Sequence, residues 1–255
     1  MLTVTEVLGR SDQGTTRPFR CKTEDGQIWY VKGRYAGQSG LCREWIASSL
    51  ARQWALPLPE FGIVHVPRAL IDGSEREDIR DLGSGPVFAS KKVENGREFT
   101  WPESQLWPNF DRSLIVLFDW WVQNEDRSLS SLGGNPNLLV TDDAMLEEPG
   151  KPFVSDGKRL WVYDFNLAFD ETFDPQRFWE NHIFGSAFDP DKMRQIYEAQ
   201  MRSALAKLPE LFKTLPLEWL YLDGDENLPV QLSQQHVYSV LNRAFVEPSP
   251  FWGKP

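Results

Sequence analysis

Two runs of sequence decide the fold: W-W-V-Q-N-E-D-R-S-L-S-S-L-G-G-N-P-N-L-L-V at residues 120–140, and R-L-W-V-Y-D-F-N-L-A-F-D at residues 159–170. The first run continues an apolar helix that ends close to Asp126, and it then opens a short apolar strand directly after Asn137. The second run predicts another short strand that ends just before Asp164. Three oxygen-bearing side chains are therefore predicted at the ends of rigid elements.

These side chains suit phosphoryl transfer. That reaction needs an aspartate that orients and deprotonates the acceptor hydroxyl, and oxygen ligands that hold magnesium on the nucleotide phosphates. Asp126 is the candidate for the first role, and Asn137 and Asp164 are the candidate metal ligands, because carboxylate and amide oxygens suit a hard cation. Asn137 is preferred to Asn135 because it abuts the strand. Arg127 is expected to neutralise nearby negative charge or to hold the loop.

Two residues upstream complete a kinase-like set. Lys32 ends a predicted strand, and Glu44 lies in a predicted helix with an apolar stripe. Kinases pair a strand lysine, which contacts the α/β-phosphates, with a helix glutamate that positions it. We therefore predict this pairing for Lys32 and Glu44. The alternative interpretations are a solvated strand-edge lysine and a glutamate favoured by the helix dipole.

The nucleotide phosphates would lie under a glycine-containing turn. The turn from Gly9 to Gly14 joins two predicted strands, and in a kinase its backbone N–H groups would cover the phosphates. Alone, such a turn indicates only a hairpin. The connection at residues 91–96 would hold an adenine through backbone groups. The predicted cofactor-binding residues are Gly9, Gly14, Lys32 and Ser90.

The run N-E-D-R…N-P-N-L-L…Y-D-F-N-L-A-F-D, with Lys32 and Glu44 upstream, resembles the stand-alone HipA-like kinase domains, which are bacterial relatives of the eukaryotic protein kinases. The resemblance covers most of residues 1–170 and fades beyond them. It implies a phosphotransferase that uses ATP and Mg²⁺ and acts on a hydroxyl, that of a protein Ser or Thr. Toxins of this family carry an additional N-terminal portion and have a DNA-binding antitoxin partner. This chain has no room for that portion, so we expect no toxin–antitoxin role.

Two positions depart from the kinase pattern. Asp126 and Asn137 are 11 positions apart, whereas kinases separate the corresponding residues by about five. The extra Ser-, Leu- and Gly-rich residues must bulge outward if both side chains are to reach one magnesium ion. Asn166 replaces the glycine of the D-F-G motif, which is a conservative change for the backbone because asparagine also tolerates positive φ.

We predict an α+β, two-lobed protein-kinase-like fold, with a small antiparallel β lobe that contains one helix, a mostly helical large lobe, and MgATP between them. Residues 1–92 would form the nucleotide-binding lobe and residues 93–255 the catalytic lobe. His182 and His236 lie in predicted helical segments without evident partners and receive no role. Strands are predicted at residues 4–9, 18–22, 27–32, 61–66 and 86–90, and helices at residues 40–54, 110–123, 192–208 and 233–245.

The composition excludes several other classes of protein. A chain of 255 residues with 41% hydrophobic content buries a substantial core. Its net charge of −10 argues against nucleic-acid or anionic-membrane partners. No apolar run approaches the roughly 20 residues of a membrane span, and the N-terminus lacks a signal-peptide pattern, so we expect a cytoplasmic protein. Cys21 and Cys42 suit neither a disulfide framework nor a metal site.

The expected partners are ATP and an unidentified hydroxyl acceptor. Three alternatives remain open on the sequence alone. A pseudokinase that binds a nucleotide or a protein partner would result if the long loop held Asn137 away from the metal. A small-molecule kinase is compatible with the missing A-P-E activation segment. A scaffold without a nucleotide would result if bulky side chains, such as some of the 11 tryptophans, closed the site.

Overall fold

The computed structural model describes residues 1–11, 14, 16–142, 152–223, 226–247 and 249–253. The chain folds into helices and antiparallel sheets, and it divides into two compact units. The first unit comprises Met1–Trp45, Pro59–Val93 and Thr214–Gln231, and the second comprises Ile46–Leu58, Glu94–Lys213 and Leu232–Pro255. Each unit is therefore assembled from separate stretches of the chain.

The first unit is built on an antiparallel sheet. Its elements are β1 (Val4–Arg10), β2 (Phe19–Thr23), β3 (Ile28–Lys32), the start of α1 (Gln38–Gln53), β4 (Phe61–Val66), α2 (Arg68–Asp72), α3 (Ile79–Leu82) and β5 (Gly85–Lys91), with short 3₁₀ turns at Arg34–Ala36 and Leu217–Trp219. The strand order is β1-β2-β3-β5-β4. Alternate residues of β2 are buried, as a sheet with one face on a core requires. The predicted strands of this unit are confirmed.

Gly33 fixes the course of the chain directly after Lys32. A Cβ atom at this position would lie 2.1 Å from the carbonyl oxygen of Leu82 and 2.7 Å from its Cα atom. Backbone atoms cannot yield to such a contact, so only glycine fits. The end of β3 is thereby held against α3, and Lys32 is presented from a rigid point.

The second unit combines helices with two small sheets. Its elements are β6 (Arg97–Glu98), α4 (Trp101–Leu106), α5 (Asn109–Val122), β7 (Ser128–Ser130), β8 (Gly133–Asn135), β9 (Leu138–Asp142), β10 (Val154–Ser155), β11 (Lys158–Val162), α6 (Pro175–Asn181), α7 (Pro190–Ala206), α8 (Leu208–Phe212) and α9 (Gln234–Asn242), with 3₁₀ turns at Gly185–Ala187, Arg243–Phe245 and Pro250–Trp252. One sheet has the order β10-β11-β9-β6, and β7 pairs with β8. In the described part of the chain, no helix is long and apolar enough to span a bilayer.

Helix α5 forms the centre of the second unit. Its residues from Ser113 to Val122 are all buried, as predicted for an apolar helix. Trp121 stacks on Trp54, with ring centroids 4.9 Å apart, and its indole N–H donates to the Leu241 carbonyl at 2.9 Å. Aromatic side chains therefore fill much of this core, and the polar N–H of Trp121 is satisfied by a backbone carbonyl.

Two further local features are the start of α7 and the two cysteines. Helix α7 begins at Pro190, and the Asp189 side chain caps it by accepting the Lys192 N–H. Cys21 and Cys42 are buried free thiols, and burial raises the pKa of each to about 12. Both therefore stay protonated and unreactive at neutral pH. Residues 141–157 are rich in Asp, Glu, Pro and Gly, which predicts a hairpin connection, and they lie largely outside the described residues.

Asp111 is a buried carboxyl group on α5. Its Oδ2 accepts the indole N–H of Trp107 at 3.2 Å and the backbone N–H of Phe153 at 3.0 Å. Burial raises the pKa of Asp111 to about 6, and the two hydrogen bonds oppose this shift only in part. The unfolded value is about 3.9, so the folded state binds the extra proton between about pH 4 and pH 6. Asp111 therefore lowers stability as the pH rises through that window.

An Asp111→Asn variant keeps an acceptor oxygen for both bonds and cannot ionise. Relative to the native chain, it is expected to gain roughly 1–3 kcal/mol in free energy of unfolding between pH 4 and pH 7. Denaturant unfolding of both proteins at a series of pH values measures this difference, in which the titration of all other groups cancels. A difference that does not change with pH would contradict the assignment.

Candidate active site

The lysine and the glutamate predicted to pair do form an ion pair within the first unit. Lys32 Nζ lies 2.7 Å from Glu44 Oε2, and the two residues are only 8% and 2% exposed. Lys32 ends β3, and Glu44 lies in the second turn of α1. Each charge offsets the burial of the other, so the removal of either one would be destabilising. Lys32 is therefore not a solvated strand-edge residue, and Glu44 pairs with Lys32 rather than with the helix dipole alone.

Of the remaining cofactor-binding candidates, Gly9 and Ser90 lie on the same sheet and Gly14 lies in the turn between β1 and β2. Gly9 pairs with Arg20 across β1 and β2, and Gly14 has a φ of 76°, in the left-handed region that favours glycine. Asp12 and Gln13, which belong to the predicted phosphate-covering turn, lie outside the described residues. Ser90 is half-buried on β5, which continues to Lys91. The nucleotide roles of Gly9, Gly14 and Ser90 stay predictions.

Asp126 and Asn137 are in direct contact in the second unit. Asn137 Nδ2 donates to Asp126 Oδ2 at 3.0 Å and lies 3.3 Å from the Asp126 carbonyl oxygen. Asn137 is buried and has a φ of 49°, which turns the chain sharply into β9. Because the amide nitrogen faces Asp126, the amide oxygen Oδ1 is directed away from Asp126 and is suited to bind a cation.

The extra residues between Asp126 and Asn137 form the hairpin of β7 and β8. Leu132 at its tip is 98% exposed, so the predicted outward bulge is confirmed. Gly134 lies in β8 and has a φ of 145°. A Cβ atom at this position would lie 2.5 Å from the Ser128 carbonyl oxygen. The hairpin projects from the loop and returns Asn137 to Asp126, which is how a spacing of 11 positions becomes compatible with one site.

Asp164 lies at the same end of the sheet as Asn137. Strands β9 and β11 pair antiparallel, with Leu138 opposite Val162, and the Tyr163 N–H donates to the Asn137 carbonyl at 3.2 Å. The start of β9 is thus beside the end of β11. Asp164 has a φ of 61°, so the left-handed residue of the D-F-N run is the aspartate. The tolerance of asparagine for positive φ, which made Asn166 a conservative replacement for glycine, is not used at the third position.

The oxygen atoms at this end of the sheet fit a magnesium ion. Asn137 and Asp164 offer an amide and a carboxylate oxygen. Asn166 adds a buried amide oxygen, Oδ1, that lacks a hydrogen-bond partner among the described residues; such an atom is costly unless a cation or water satisfies it. Within the same residues, no group of three or more His, Cys, Asp or Glu side chains could hold a metal. One carboxylate with amide oxygens and nucleotide phosphates is a typical magnesium environment.

Arg127 binds the backbone at this end of the sheet. Its side chain is fully buried, and Nε donates to Asp119 Oδ2 at 2.7 Å. The guanidinium also lies 5.3 Å from the centre of the Phe165 ring. Nη1 lies 2.7, 3.1 and 3.3 Å from three backbone carbonyl oxygens, those of Asn137, Pro136 and Tyr163. The two predicted roles of Arg127, as a neutralising charge and as a loop holder, are both confirmed.

Sequence reasoning missed Asp119. Its carboxylate is fully buried on α5 and accepts hydrogen bonds from Asn124 and Arg127. Burial opposes its ionisation, but the charge of Arg127 and hydrogen bonds from His182 and Arg127 outweigh this cost, so the pKa of Asp119 lies below its usual value. A lone aspartate within an apolar helix is rarely buried without a partner. That pattern, F-D-W-W followed by D-R, was the available signal.

The prediction that two histidines lack partners is wrong. His182 Nε2 lies 3.0 Å from Asp119 Oδ2, and His236 Nε2 lies 2.9 Å from the Phe169 carbonyl oxygen. Both contacts join residues more than 60 positions apart. Such partners are invisible to a local reading of helical segments.

Comparison with known proteins identifies the family of the chain. Among solved structures, the chain is similar to WaaP in complex with acyl carrier protein, with 14% sequence identity, coverage of 81% of this chain and 90% of that chain, and a TM-score of 0.34. A search of curated proteins found no match. The HipA-like kinase family matches residues 4–255, so the similarity extends well beyond the expected limit near residue 170. The chain belongs to the HipA-like kinase family.

Proposed function

We propose that this chain transfers the γ-phosphoryl group of MgATP to a hydroxyl group, that of a protein Ser or Thr. The observation that carries the proposal is the contact between Asp126 and Asn137 at 3.0 Å, at the end of the sheet where Asp164 follows β11. The pseudokinase alternative required the long intervening loop to hold Asn137 away from the metal, and the contact with Asp126 speaks against that arrangement. The contact therefore favours an active kinase over a pseudokinase.

Each residue of the set has a role in this reaction. Asp126 orients the acceptor hydroxyl and takes its proton as the acceptor oxygen attacks the γ-phosphorus and ADP leaves. Asn137 and Asp164 hold the metal, with Asn166 as a further oxygen ligand, and Lys32 contacts the phosphates while Glu44 positions it. The magnesium ion, when bound, neutralises charge on the phosphates.

The wider assignment follows from these roles. Residues 1–92 are proposed as the nucleotide-binding lobe, with Gly9, Gly14 and Ser90 at the nucleotide, and residues 93–255 as the catalytic lobe. The Ser or Thr acceptor rests on the family resemblance. A small-molecule hydroxyl would use the same catalytic residues, and separation of labelled protein from labelled small molecules in a lysate distinguishes the two acceptors.

Two aspartates of one segment provide a matched test of this function. Asp164→Asn weakens a metal ligand and is expected to lower the rate of transfer from γ-labelled ATP by about 100-fold or more. Asp170 Oδ1 instead accepts the N–H and hydroxyl of Thr172 at 2.8 and 2.7 Å, and Asp170→Asn keeps that acceptor oxygen. Its rate is expected to stay within about threefold of the native rate. Equal losses in both variants, or transfer that is independent of magnesium, would exclude the proposed site.

A further inference from the structure

His182 is a buried residue directly after α6, and its hydrogen bonds define its protonation. Nδ1 accepts the backbone N–H of Phe184 at 3.1 Å, so in the neutral ring this nitrogen carries no proton. Nε2 therefore carries the proton and donates it to Asp119 Oδ2 at 3.0 Å. Burial lowers the pKa of His182, and the contact with Asp119 opposes this shift only in part. The ring is therefore neutral at physiological pH.

Asp119 connects His182 to Arg127. Oδ2 accepts from His182 and from Arg127 Nε, and Oδ1 accepts from Asn124 Nδ2 at 2.8 Å and lies 3.4 Å from Arg127 Nη2. A carboxylate that contacts two nitrogens of a guanidinium fixes the plane of that group. The remaining nitrogen, Nη1, is the one that contacts the Asn137 and Tyr163 carbonyls. The orientation of Asp119 therefore sets where these carbonyls lie.

The backbone around His182 contacts the same loop. His182 forms an antiparallel bridge with Ser128, and the Ile183 N–H donates to the Arg127 carbonyl at 3.1 Å. Residues 182–183 therefore contact this loop in two ways. The His182 side chain joins the network of Asp119 and Arg127, and the backbone binds Ser128 and the Arg127 carbonyl. This segment is a fixed support of the loop that carries Asp126.

We infer that His182 is a positioning residue of the phosphoryl-transfer site, which acts through Asp119 and Arg127 on the backbone of Asn137 and Tyr163. The inference rests on the proposed function for its catalytic meaning. Its structural content, that His182 controls the position of Asn137, can be measured without catalysis. Outer residues that orient metal ligands typically change metal affinity or activity by about 10- to 100-fold when they are replaced.

Two substitutions of His182 separate its two hydrogen bonds. The amide of His182→Gln places a donor near the position of Nε2 and keeps the bond to Asp119. The shorter amide of His182→Asn keeps an acceptor near the position of Nδ1 but cannot reach Asp119. Leu208→Ala, at a buried core position of the same unit outside this network, controls for a general loss of stability.

We expect His182→Asn to lower kcat per folded molecule by about 10- to 100-fold and to raise the magnesium concentration needed for half-maximal rate. His182→Gln should stay within about threefold of the native protein, and Leu208→Ala should lose thermal stability with kcat per folded molecule unchanged. A native kcat and magnesium dependence in His182→Asn, or an equal loss in His182→Gln, would overturn the inference.

A second measurement keeps the inference separate from the proposed function. The side-chain amide resonances of Asn137, assigned with the Asn137→Ser variant, report the contact with Asp126 whether or not phosphate is transferred. They should shift in His182→Asn and stay in place in His182→Gln and Leu208→Ala. Unchanged resonances in His182→Asn would overturn the positioning role. Absence of transfer by the native protein together with shifted resonances would instead remove the proposed function alone.

Discussion

Replacement of Arg127 by methionine is expected to lower the free energy of unfolding by about 3–5 kcal/mol, because it removes one partner of a buried ion pair. The side chains of Arg127 and Asp119 are 0% and 1% exposed, so water cannot compensate the carboxylate that remains. The backbone carbonyls of Asn137 and Tyr163 also lose their contact with Nη1. Methionine retains the unbranched length of the arginine stem, which limits the loss from packing.

A double variant isolates the electrostatic part of this effect. Asp119→Asn removes the charge that Arg127→Met leaves unpaired, so the two substitutions together should cost less than the sum of the single losses, by about 1–3 kcal/mol. Unfolding by denaturant at neutral pH, applied to the native chain, both single variants and the double variant, gives this coupling. Strictly additive losses would show that Arg127 supports the unit through packing alone.

The sequence predicted the local elements and the residues at their ends. The apolar runs before Lys32, Asp126 and Asp164 are long and regular enough to define strands and a helix, and reactive side chains at the ends of such elements can only project in a few directions. For the pair Lys32 and Glu44, the kinase pattern supplied the contact that periodicity alone could not. The positions of these side chains were therefore accessible from the sequence, and their chemical roles stay predictions.

The support beneath the site was not accessible in this way. Asp119 reads as one polar position in an apolar helix, and its partner His182 is 63 positions away. A buried charge predicts that some partner exists, but it does not identify which one. Asn166 was interpreted as a backbone substitution, whereas the structure shows that its side-chain oxygen is buried and lacks a hydrogen-bond partner among the described residues.

The unit to which residues 214–231 belong was also not predictable from the sequence. Residues 214–231 belong to the first unit, where the Trp219 indole N–H donates to the Pro86 carbonyl at 2.7 Å. This segment is short and interrupted by prolines, so it has no apolar period that would assign it to one unit. Its contacts are with residues distant in sequence, which include Cys42 and Trp45 as well as Pro86.

The Asp126→Asn variant is expected to lower the rate of phosphoryl transfer by about 10²- to 10⁴-fold, the range for loss of a positioned general base. Asparagine has nearly the same shape, and its amide oxygen can still accept the Asn137 Nδ2 hydrogen bond, so the backbone of the loop should be preserved. The ion pair of Lys32 and Glu44 lies in the other unit. ATP affinity should therefore change by no more than about threefold, which separates a catalytic effect from a binding effect.

The most direct test of the proposed kinase activity is transfer of label from γ-labelled ATP with magnesium. The native chain and Asp126→Asn are each assayed for label on the protein itself and on a cell lysate, and ATP binding by both proteins is measured in parallel. We expect labelled acceptor with the native chain, a loss of about 10²-fold or more with the variant, and ATP binding by both. If the native chain binds ATP but transfers no label, the chain is a pseudokinase, and if both proteins transfer label equally, Asp126 is not the catalytic base.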